Sequence, residues 1–332
     1  HSYGLGIETP AGRIVHTGDF KSDRYPLDGH QTDLEAFREF SDPGVLCMLS
    51  DSTNVEREGF ALTEMEIKQS LAEIFRNATG RIIVTLFSSH IQRMQEIFDL
   101  AHDTGKRVAV SGKSLANNID IARDLGYLRM PPGVWASMDE IGSLPLDKAV
   151  LLVTGSQGDP LSALSRLAAA EHRQLRVQPG DLVLMSSRFI PGNIRAIHKL
   201  IDKLYRLGAE VIYERAQAIH ASGHAHREEL SIMLGTVRPK FFVPVHGEYR
   251  HLVKHRRLAL EHGVAEERAI ILEDGQPITF HAGGGIRLED HILVEQVYVD
   301  GKGVGDVGQS ELKERQLLAG EGMEVVMLVM EE

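Results

Sequence analysis

The sequence predicts an α/β protein, and three observations support this class. A strand hairpin opens the chain, strand–helix pairs alternate over about 62–207, and strands and turns dominate from about 270 onward. Because strands that alternate with helices are typical of a parallel sheet covered by helices, we expect such a sheet between 62 and 207.

The first elements have clear signals at their ends. Residues 5–9 and 13–17 read as strands, and Pro10-Ala11-Gly12 between them is typical of a turn. Residues 45–50 form an apolar strand that ends in Asp51-Ser52-Thr53-Asn54. We therefore predict a hairpin followed by a buried strand.

The alternating region begins with a helix. Thr63 and Glu66 have the spacing of a capping box, apolar residues follow at helical intervals, and Gly80 is expected to end the helix. Further strands are predicted at 81–87, 106–110, 149–154, 181–186, 209–213 and 240–245, with helices from about 91 and at 227–234.

Composition excludes several classes of protein. The chain has 332 residues, 42% of them hydrophobic, but no apolar run reaches the ~20 residues of a membrane span. A net charge of −11 argues against a broad basic surface for nucleic acid, although not against a local groove or bound metal. Cys47 is the only cysteine and sits in an apolar strand. We expect it to be a buried hydrophobe in a cytoplasmic protein.

Histidines and carboxylates at strand ends are the candidate functional residues. Asp19 follows a strand and has the chemistry to bridge two cations, although a turn aspartate bonded to its own backbone explains it as well. His246 ends a strand and precedes glycine, which suits a metal ligand or a buried structural histidine. Residues 220–226 offer His220 and His224 around Ser222-Gly223, either as a phosphate cradle or as an ordinary histidine-rich loop.

Several motifs, in this order, resemble the ribonuclease J family, which is the β-CASP branch of the metallo-β-lactamase fold. They extend over nearly the whole chain, and the combination is more specific than any one piece. The matching residues are His1-Ser2, Val15-His16-Thr17-Gly18-Asp19-Phe20-Lys21, Ser50-Asp51-Ser52-Thr53-Asn54, Thr154-Gly155-Ser156-Gln157-Gly158, Ile190-Pro191-Gly192-Asn193, Ser222-Gly223-His224-Ala225, Pro244-Val245-His246-Gly247-Glu248-Tyr249-Arg250 and Gly303-Val304-Gly305-Asp306-Val307-Gly308.

The resemblance implies a role for each site residue. It makes His1, Asp19 and His246 metal ligands, with Asp19 bridging two divalent ions, zinc first and manganese as the alternative. It makes His224 the residue that contacts the scissile phosphate and protonates the leaving oxygen, and Asp51 the carboxylate that orients it. The implied substrate-binding residues are Ser88, Ser89, His90, Arg93, His220, Ala221, Ser222, Gly223 and His224.

The resemblance also implies the domain organisation. We expect a metallo-β-lactamase αββα sandwich from 1–61 and 208–305, a β-CASP α/β domain inserted at 62–207, and a linker at 306–332 toward a further domain. The family's His-x-His-x-Asp-His motif is not in these 332 residues. Because the chain also begins without methionine, we expect an internal piece of a longer protein, active only as a whole.

The function implied is 5′→3′ exonucleolytic hydrolysis of RNA, with endonucleolytic cleavage as a further activity, in RNA processing and decay. RNA is the expected partner, the expected assembly is a homodimer or homotetramer, and no membrane is involved. Two alternatives stay open. One is another β-CASP nuclease, although His246 favours the RNA-type members. The other is a non-catalytic paralogue that binds RNA or assists assembly.

Overall fold

The computed structural model describes residues 2–321 except 28, 214–217, 282–284, 295–296, 298, 301–302 and 305–307. His1, one of the predicted metal ligands, therefore lies outside the described residues, as do 322–332. The chain forms two compact units that divide between Ile271 and Leu272. Within the described ranges, no helix is long and apolar enough to cross a membrane.

The first unit contains nine strands and nine α-helices among its described residues. The strands are β1 (Leu5–Thr9), β2 (Gly12–His16), β3 (Val45–Asp51), β4 (Ile82–Thr85), β5 (Arg107–Ser111), β6 (Ala149–Val153), β7 (Leu182–Met185), β8 (Glu210–Tyr213) and β9 (Phe241–Val245). The helices are α1 (Leu34–Ser41), α2 (Glu64–Asn77), α3 (Ile91–Asp103), α4 (Lys113–Asp124), α5 (Met138–Ser143), α6 (Ala163–Ala168), α7 (Ile194–Arg206), α8 (Arg227–Val237) and α9 (Tyr249–Glu261).

One sheet has the order β1-β2-β3-β9. The predicted hairpin is confirmed, because β1 pairs antiparallel with β2 from Leu5↔His16 to Thr9↔Gly12. The pairs β2–β3 and β3–β9 are parallel. Parallel strands end at the same edge of a sheet, so the residues that follow β2, β3 and β9 are brought to one place.

The second sheet confirms the parallel sheet predicted for the alternating region. Its order is β5-β6-β4-β7-β8, and all four strand pairs are parallel. Strands β4 and β6 are buried throughout. A sheet of this kind is buried on both faces, which explains its continuous apolar strands. Two apolar clusters cover it, one centred on Phe75 and Phe98 and the other on Leu164 and Leu204.

Helix α2 begins as the sequence predicts. Thr63 is its N-cap, and the capping box with Glu66 is complete. The helix ends at Asn77, three residues before Gly80, so Gly80 does not terminate it. Gly80 instead lies against the backbone of Gly180, where a Cβ atom would overlap the Gly180 carbonyl oxygen. Close approach of two loops, not helix termination, is what requires glycine at this position.

The expected domain boundaries stay a prediction, and two structural divisions lie near them. Strand β8 pairs with β7, so the second sheet includes residues up to Tyr213. The first compact unit ends at Ile271, and the second begins at Leu272. In that second unit, the strands are β10 (Ile278–Phe280), β11 (Ile286–Leu288), β12 (Val299–Asp300) and β13 (Gly303–Val304). The predicted linker 306–332 contains the helix α10 (Gln309–Glu321).

Candidate metal and phosphate site

Three parallel strand ends bring the candidate residues together. Asp51 is the last residue of β3, Asp19 follows β2, and His246 follows β9. The strand ends are tied to one another, because Thr17 N donates to the Leu49 carbonyl at 3.0 Å and Asp51 N donates to the Thr17 hydroxyl at 3.1 Å. The placement of these side chains is therefore a consequence of sheet pairing.

Asp19, His224 and His246 form a cluster of candidate metal ligands. Their ligand atoms all lie within 4.8 Å of one another. His246 Nε2 is 3.5 Å from Asp19 Oδ2. Two donors, each about 2.0–2.2 Å from one tetrahedral zinc ion, lie roughly 3.3–3.6 Å apart. The carboxylate and imidazole present therefore fit a shared divalent cation without rearrangement.

His246 has an unusual backbone conformation. Its φ of 55° lies in the left-handed region, which costs a non-glycine residue about 1–2 kcal/mol. The Thr53 hydroxyl oxygen lies 2.9 Å from the His246 carbonyl oxygen, so the two segments are in close contact here. The side chain is 53% exposed, so the alternative of a buried structural histidine does not fit. Backbone strain of this kind is concentrated at functional sites.

Asp51 holds the imidazole of His224. His224 Nδ1 lies 2.7 Å from Asp51 Oδ2, while the Thr53 amide and hydroxyl donate to Asp51 Oδ1 at 3.0 and 2.7 Å. The hydrogen bond to Asp51 raises the pKa of His224, against the effect of burial. Burial alone would raise the pKa of Asp51, but the hydrogen bonds from His224 and Thr53 outweigh it and the pKa is lowered. The pair therefore favours an ionised carboxylate beside a protonated imidazole.

The contact with Asp51 leaves Nε2 as the nitrogen of His224 that is available to a ligand. A carboxylate on the far nitrogen is found both behind metal-bound histidines and behind catalytic acids. The structure thus brings His224 to the same place as Asp19 and His246, and distances alone are compatible with either role.

The loop 220–224 borders a cleft of about 1370 Å³. Gly223, His224, Ser89 and His90 line this cleft, together with Lys21. A Cβ atom at Gly223 would meet no other atom within 4 Å, so the loop backbone is open to a ligand at that point.

The other predicted substrate residues among those described are not among the residues that line this cleft. Ser222 Oγ accepts from Asn54 Nδ2 at 2.6 Å, and the Ser88 carbonyl accepts from Asn118 at 2.6 Å. Ala221 is buried. Burial, and then the nearby charge of Arg93, lowers the pKa of His220 to about 3. The hydrogen bonds of Ser222 and Ser88 tie their loops to neighbouring segments.

Arg93 differs most from its expected role. Its side chain is completely buried and pairs with Glu64 and Glu96, so its charge is not offered to the cleft. His90 caps α3, with Nδ1 accepting from the Arg93 amide at 3.2 Å. Burial, followed by the charge of Arg93, lowers the pKa of His90 to about 4, so this imidazole is neutral at pH 7.

Asn54 is a residue to which the sequence assigned no role. Besides Ser222, it donates to the His224 carbonyl at 3.0 Å, and it accepts from Arg188 at 3.1 Å. It joins the end of the first sheet to the loop 220–224. The only local sign of a role for Asn54 is its place in the polar residues that follow β3. Its side-chain partners are more than 130 positions away in the chain, so the sequence alone does not indicate them.

Comparison with known sequences agrees with this architecture. Residues 79–204 match the family model described as "Ribonuclease J, beta-CASP domain", and residues 208–271 match "Zn-dependent metallo-hydrolase RNA specificity domain". The chain is 42% identical over 325 residues to "Ribonuclease J" of Synechocystis sp., covering 98% of this chain and 50% of that protein. It is 39% identical over 320 residues to "Ribonuclease J 1" of Streptococcus pyogenes, covering 96% and 57%. This chain belongs to the ribonuclease J family.

Membership confirms the metallo-β-lactamase and β-CASP fold class that the motifs implied. "Ribonuclease J" of Thermus thermophilus is a further relative, 40% identical over 328 residues, with 97% of this chain and 56% of that protein covered. The chain thus spans about half the length of the curated relatives it matches. The second family model begins at residue 208 and therefore includes β8. In the structure, β8 pairs with β7 and so belongs to the parallel sheet whose other strands lie in the range of the first family model.

Proposed function

We propose that the complete protein is a metal-dependent ribonuclease that hydrolyses RNA phosphodiesters 5′→3′ from a monophosphorylated end, with endonucleolytic cleavage as a second activity. The observation that carries this proposal is the cluster of Asp19, His224 and His246, in which Asp51 supports His224 at 2.7 Å. The relatives named ribonuclease J give the substrate class.

The chain's own residues take distinct roles in the proposal. Asp19 and His246 hold divalent metal, proposed as two ions of zinc with manganese as the alternative, and His1 is the proposed further ligand. Bound metal would supply a hydroxide at neutral pH and positive charge for the phosphate. Gly223 and Ser89 line the cleft and are the proposed contacts of the substrate phosphate.

His224 is the proposed acid of the reaction. Asp51 holds Nδ1, so Nε2 is the atom that transfers a proton to the departing ribose oxygen. The hydrogen bond to Asp51 raises the pKa of His224 and so favours the protonated imidazole, which is the form this step requires. The proposal therefore assigns metal binding to Asp19 and His246 and proton transfer to His224.

His224→Ala in the complete protein tests these roles. We expect the cleavage rate of 5′-monophosphorylated RNA to fall by about 10²–10⁴-fold, which is the usual contribution of a general acid. Zinc content, measured by mass spectrometry, should stay near that of the unmodified protein. His262→Ala is the matched control, because this histidine is exposed and its imidazole Nε2 lies 3.0 Å from a nearby serine hydroxyl, Ser231 Oγ.

Each contrary outcome has a clear meaning. Loss of zinc with His224 would make this residue a ligand instead of the acid. If the unmodified protein binds RNA but does not cleave it with zinc or manganese, the nuclease proposal fails in favour of a non-catalytic binding subunit.

We further propose that the 332-residue chain alone binds metal weakly and is inactive, because with His224 assigned to proton transfer its described residues bring only two of the proposed metal ligands together, Asp19 and His246. Zinc titration and cleavage assays of this chain test that statement, and cleavage by it would disprove it. The proposed homodimer or homotetramer is tested by light scattering of the complete protein.

A further inference from the structure

Arg93 lies in a buried cluster of charged side chains. It belongs to the first turn of α3, and no part of its side chain is exposed. One terminal nitrogen of its guanidinium lies 2.5 Å from Glu64 Oε2, and Nε lies 2.8 Å from Glu96 Oε2. The other terminal nitrogen donates to the Ile219 carbonyl at 3.0 Å. The guanidinium therefore contacts three separate segments of the chain.

Glu64 extends this cluster to the first sheet. Its second carboxylate oxygen lies 3.6 Å from Lys21 Nζ, which is also 3.2 Å from Asp23 Oδ2. The Glu64 amide donates to that same Asp23 oxygen at 2.8 Å. We call Lys21, Asp23, Glu64, Arg93 and Glu96 the Arg93 cluster.

The cluster connects segments that are far apart in the sequence and that lie next to the candidate site. Lys21 lies two residues after Asp19, the proposed bridging ligand, and Ile219 immediately precedes the loop 220–224. Glu64 is the first residue of α2, where the chain enters the β-CASP region. The cluster thus joins the segment after Asp19 to the beginning of the phosphate loop.

Stability alone is a weak explanation for so many buried charges. Removing charged groups from water is costly, and well-packed apolar side chains of the same volume often stabilise a fold equally well. What an apolar side chain cannot do is donate in fixed directions to Glu64, to the Ile219 carbonyl and to the Ser186 hydroxyl, as Arg93 does. Arginine does this because its five N–H groups form a rigid planar fork.

We propose that Arg93 and Glu64 are positioning residues, which hold the start of the loop 220–224 in register with the segment that carries Asp19. The inference rests on the proposed function, because it assigns that loop to substrate phosphate. Arg93 is buried and does not contact the substrate itself.

The two ends of the loop are held by different groups, which gives the proposal a kinetic signature. Arg93 and Ser186 hold the Ile219 carbonyl, at 3.0 and 2.6 Å. Asp51 and Asn54 hold the His224 end. Loosening the Ile219 end displaces the phosphate-binding backbone while the proposed acid keeps its own anchor. KM should therefore rise more than kcat falls.

Two variants of the complete protein test this signature on 5′-monophosphorylated RNA. Arg93→Lys keeps the charge near Glu64 and Glu96 but loses the fork, and we expect KM to rise about tenfold with kcat changed less than threefold. Ser186→Ala leaves every ion pair in place and removes one donor to Ile219, so KM should rise about threefold. Hydrogen exchange of the amides 221–225 should be faster in both variants than in the unmodified protein.

Arg81→Lys is the matched control. Arg81 forms another buried ion pair, with Asp181 at 2.5 Å, but the two residues precede β4 and β7 and so lie at the opposite end of the same sheet. We expect this variant to lower the melting temperature without changing KM. An equal rise in KM in this control would mean that general destabilisation is being measured, and the proposal would be overturned.

The proposal would also be overturned if folded Arg93→Lys and Ser186→Ala both keep the unmodified KM and hydrogen exchange. Failure of the proposed function is distinguishable, because it appears as absent cleavage by the unmodified protein. In that case hydrogen exchange of 221–225 still decides whether Arg93 positions the loop.

Discussion

Glu96 gives a prediction whose size follows from the structure. It is buried, and burial raises the pKa of its carboxyl from 4.5 to about 7, with the charge of Arg93 acting in the opposite direction. A raised carboxyl pKa means that the folded protein holds a proton that the unfolded chain has lost, so Glu96 reduces stability as pH rises from 4.5 toward 7. At 1.36 kcal/mol per pKa unit, the penalty above pH 7 is about 3 kcal/mol.

Glu96→Gln removes this penalty, because glutamine resembles the protonated carboxyl. Urea denaturation at pH 5 and pH 8 measures the effect. We expect the variant's gain in unfolding free energy to be about 2–3 kcal/mol larger at pH 8 than at pH 5. Comparing two pH values cancels any constant effect of the amide on packing.

Asp120→Asn, on the exposed side of α4, controls for the loss of one negative charge. The same stability difference between Glu96→Gln and the unmodified protein at both pH values would refute the reasoning. It would show that Glu96 is ionised in the folded protein across this range, so that its contact with Arg93 outweighs its burial.

Two further predictions concern Cys47 and Gly80. Burial raises the pKa of the Cys47 thiol to about 12. A disulfide reagent at pH 8 should therefore label the folded protein negligibly and the urea-unfolded protein stoichiometrically. Rapid labelling of the folded protein would contradict this prediction. Gly80→Ala should lower the unfolding free energy by about 1–3 kcal/mol in urea denaturation, because the added Cβ would overlap the Gly180 carbonyl. Gly142→Ala is the control and should be tolerated, because its Cβ would meet only Leu175, at 3.8 Å. Equal stabilities of the two variants would disprove the overlap.

The elements predicted from sequence were those with local signals. The hairpin, the capping box of α2 and the apolar strands of the second sheet each depend on residues close together in the chain, and all are present. The sheet to which β8 belongs could not be predicted from local signals. Its apolar pattern identifies a strand, but its partner is set by the helix α7 that returns it beside β7.

The same distinction applies to the candidate site. Asp19, Asp51 and His246 were recognisable because each stands where a strand ends, and parallel pairing then gathers the strand ends. The resemblance placed Arg93 at the substrate together with Ser88-Ser89-His90, which lie close to it in the sequence. Its burial depends on Glu64 and Ile219, which are 29 and 126 positions away, and no local pattern reports such contacts.

Electrostatics favours one of the two roles that geometry allows for His224. A metal ligand must be a neutral imidazole, whereas an acid must carry a proton. Asp51 raises the pKa of His224 and so favours the protonated form. Asp51 is itself kept ionised by donors from Thr53, which compensate for its burial. The ionised Asp51 carboxylate therefore favours the protonated imidazole, which is the form that an acid at this place requires.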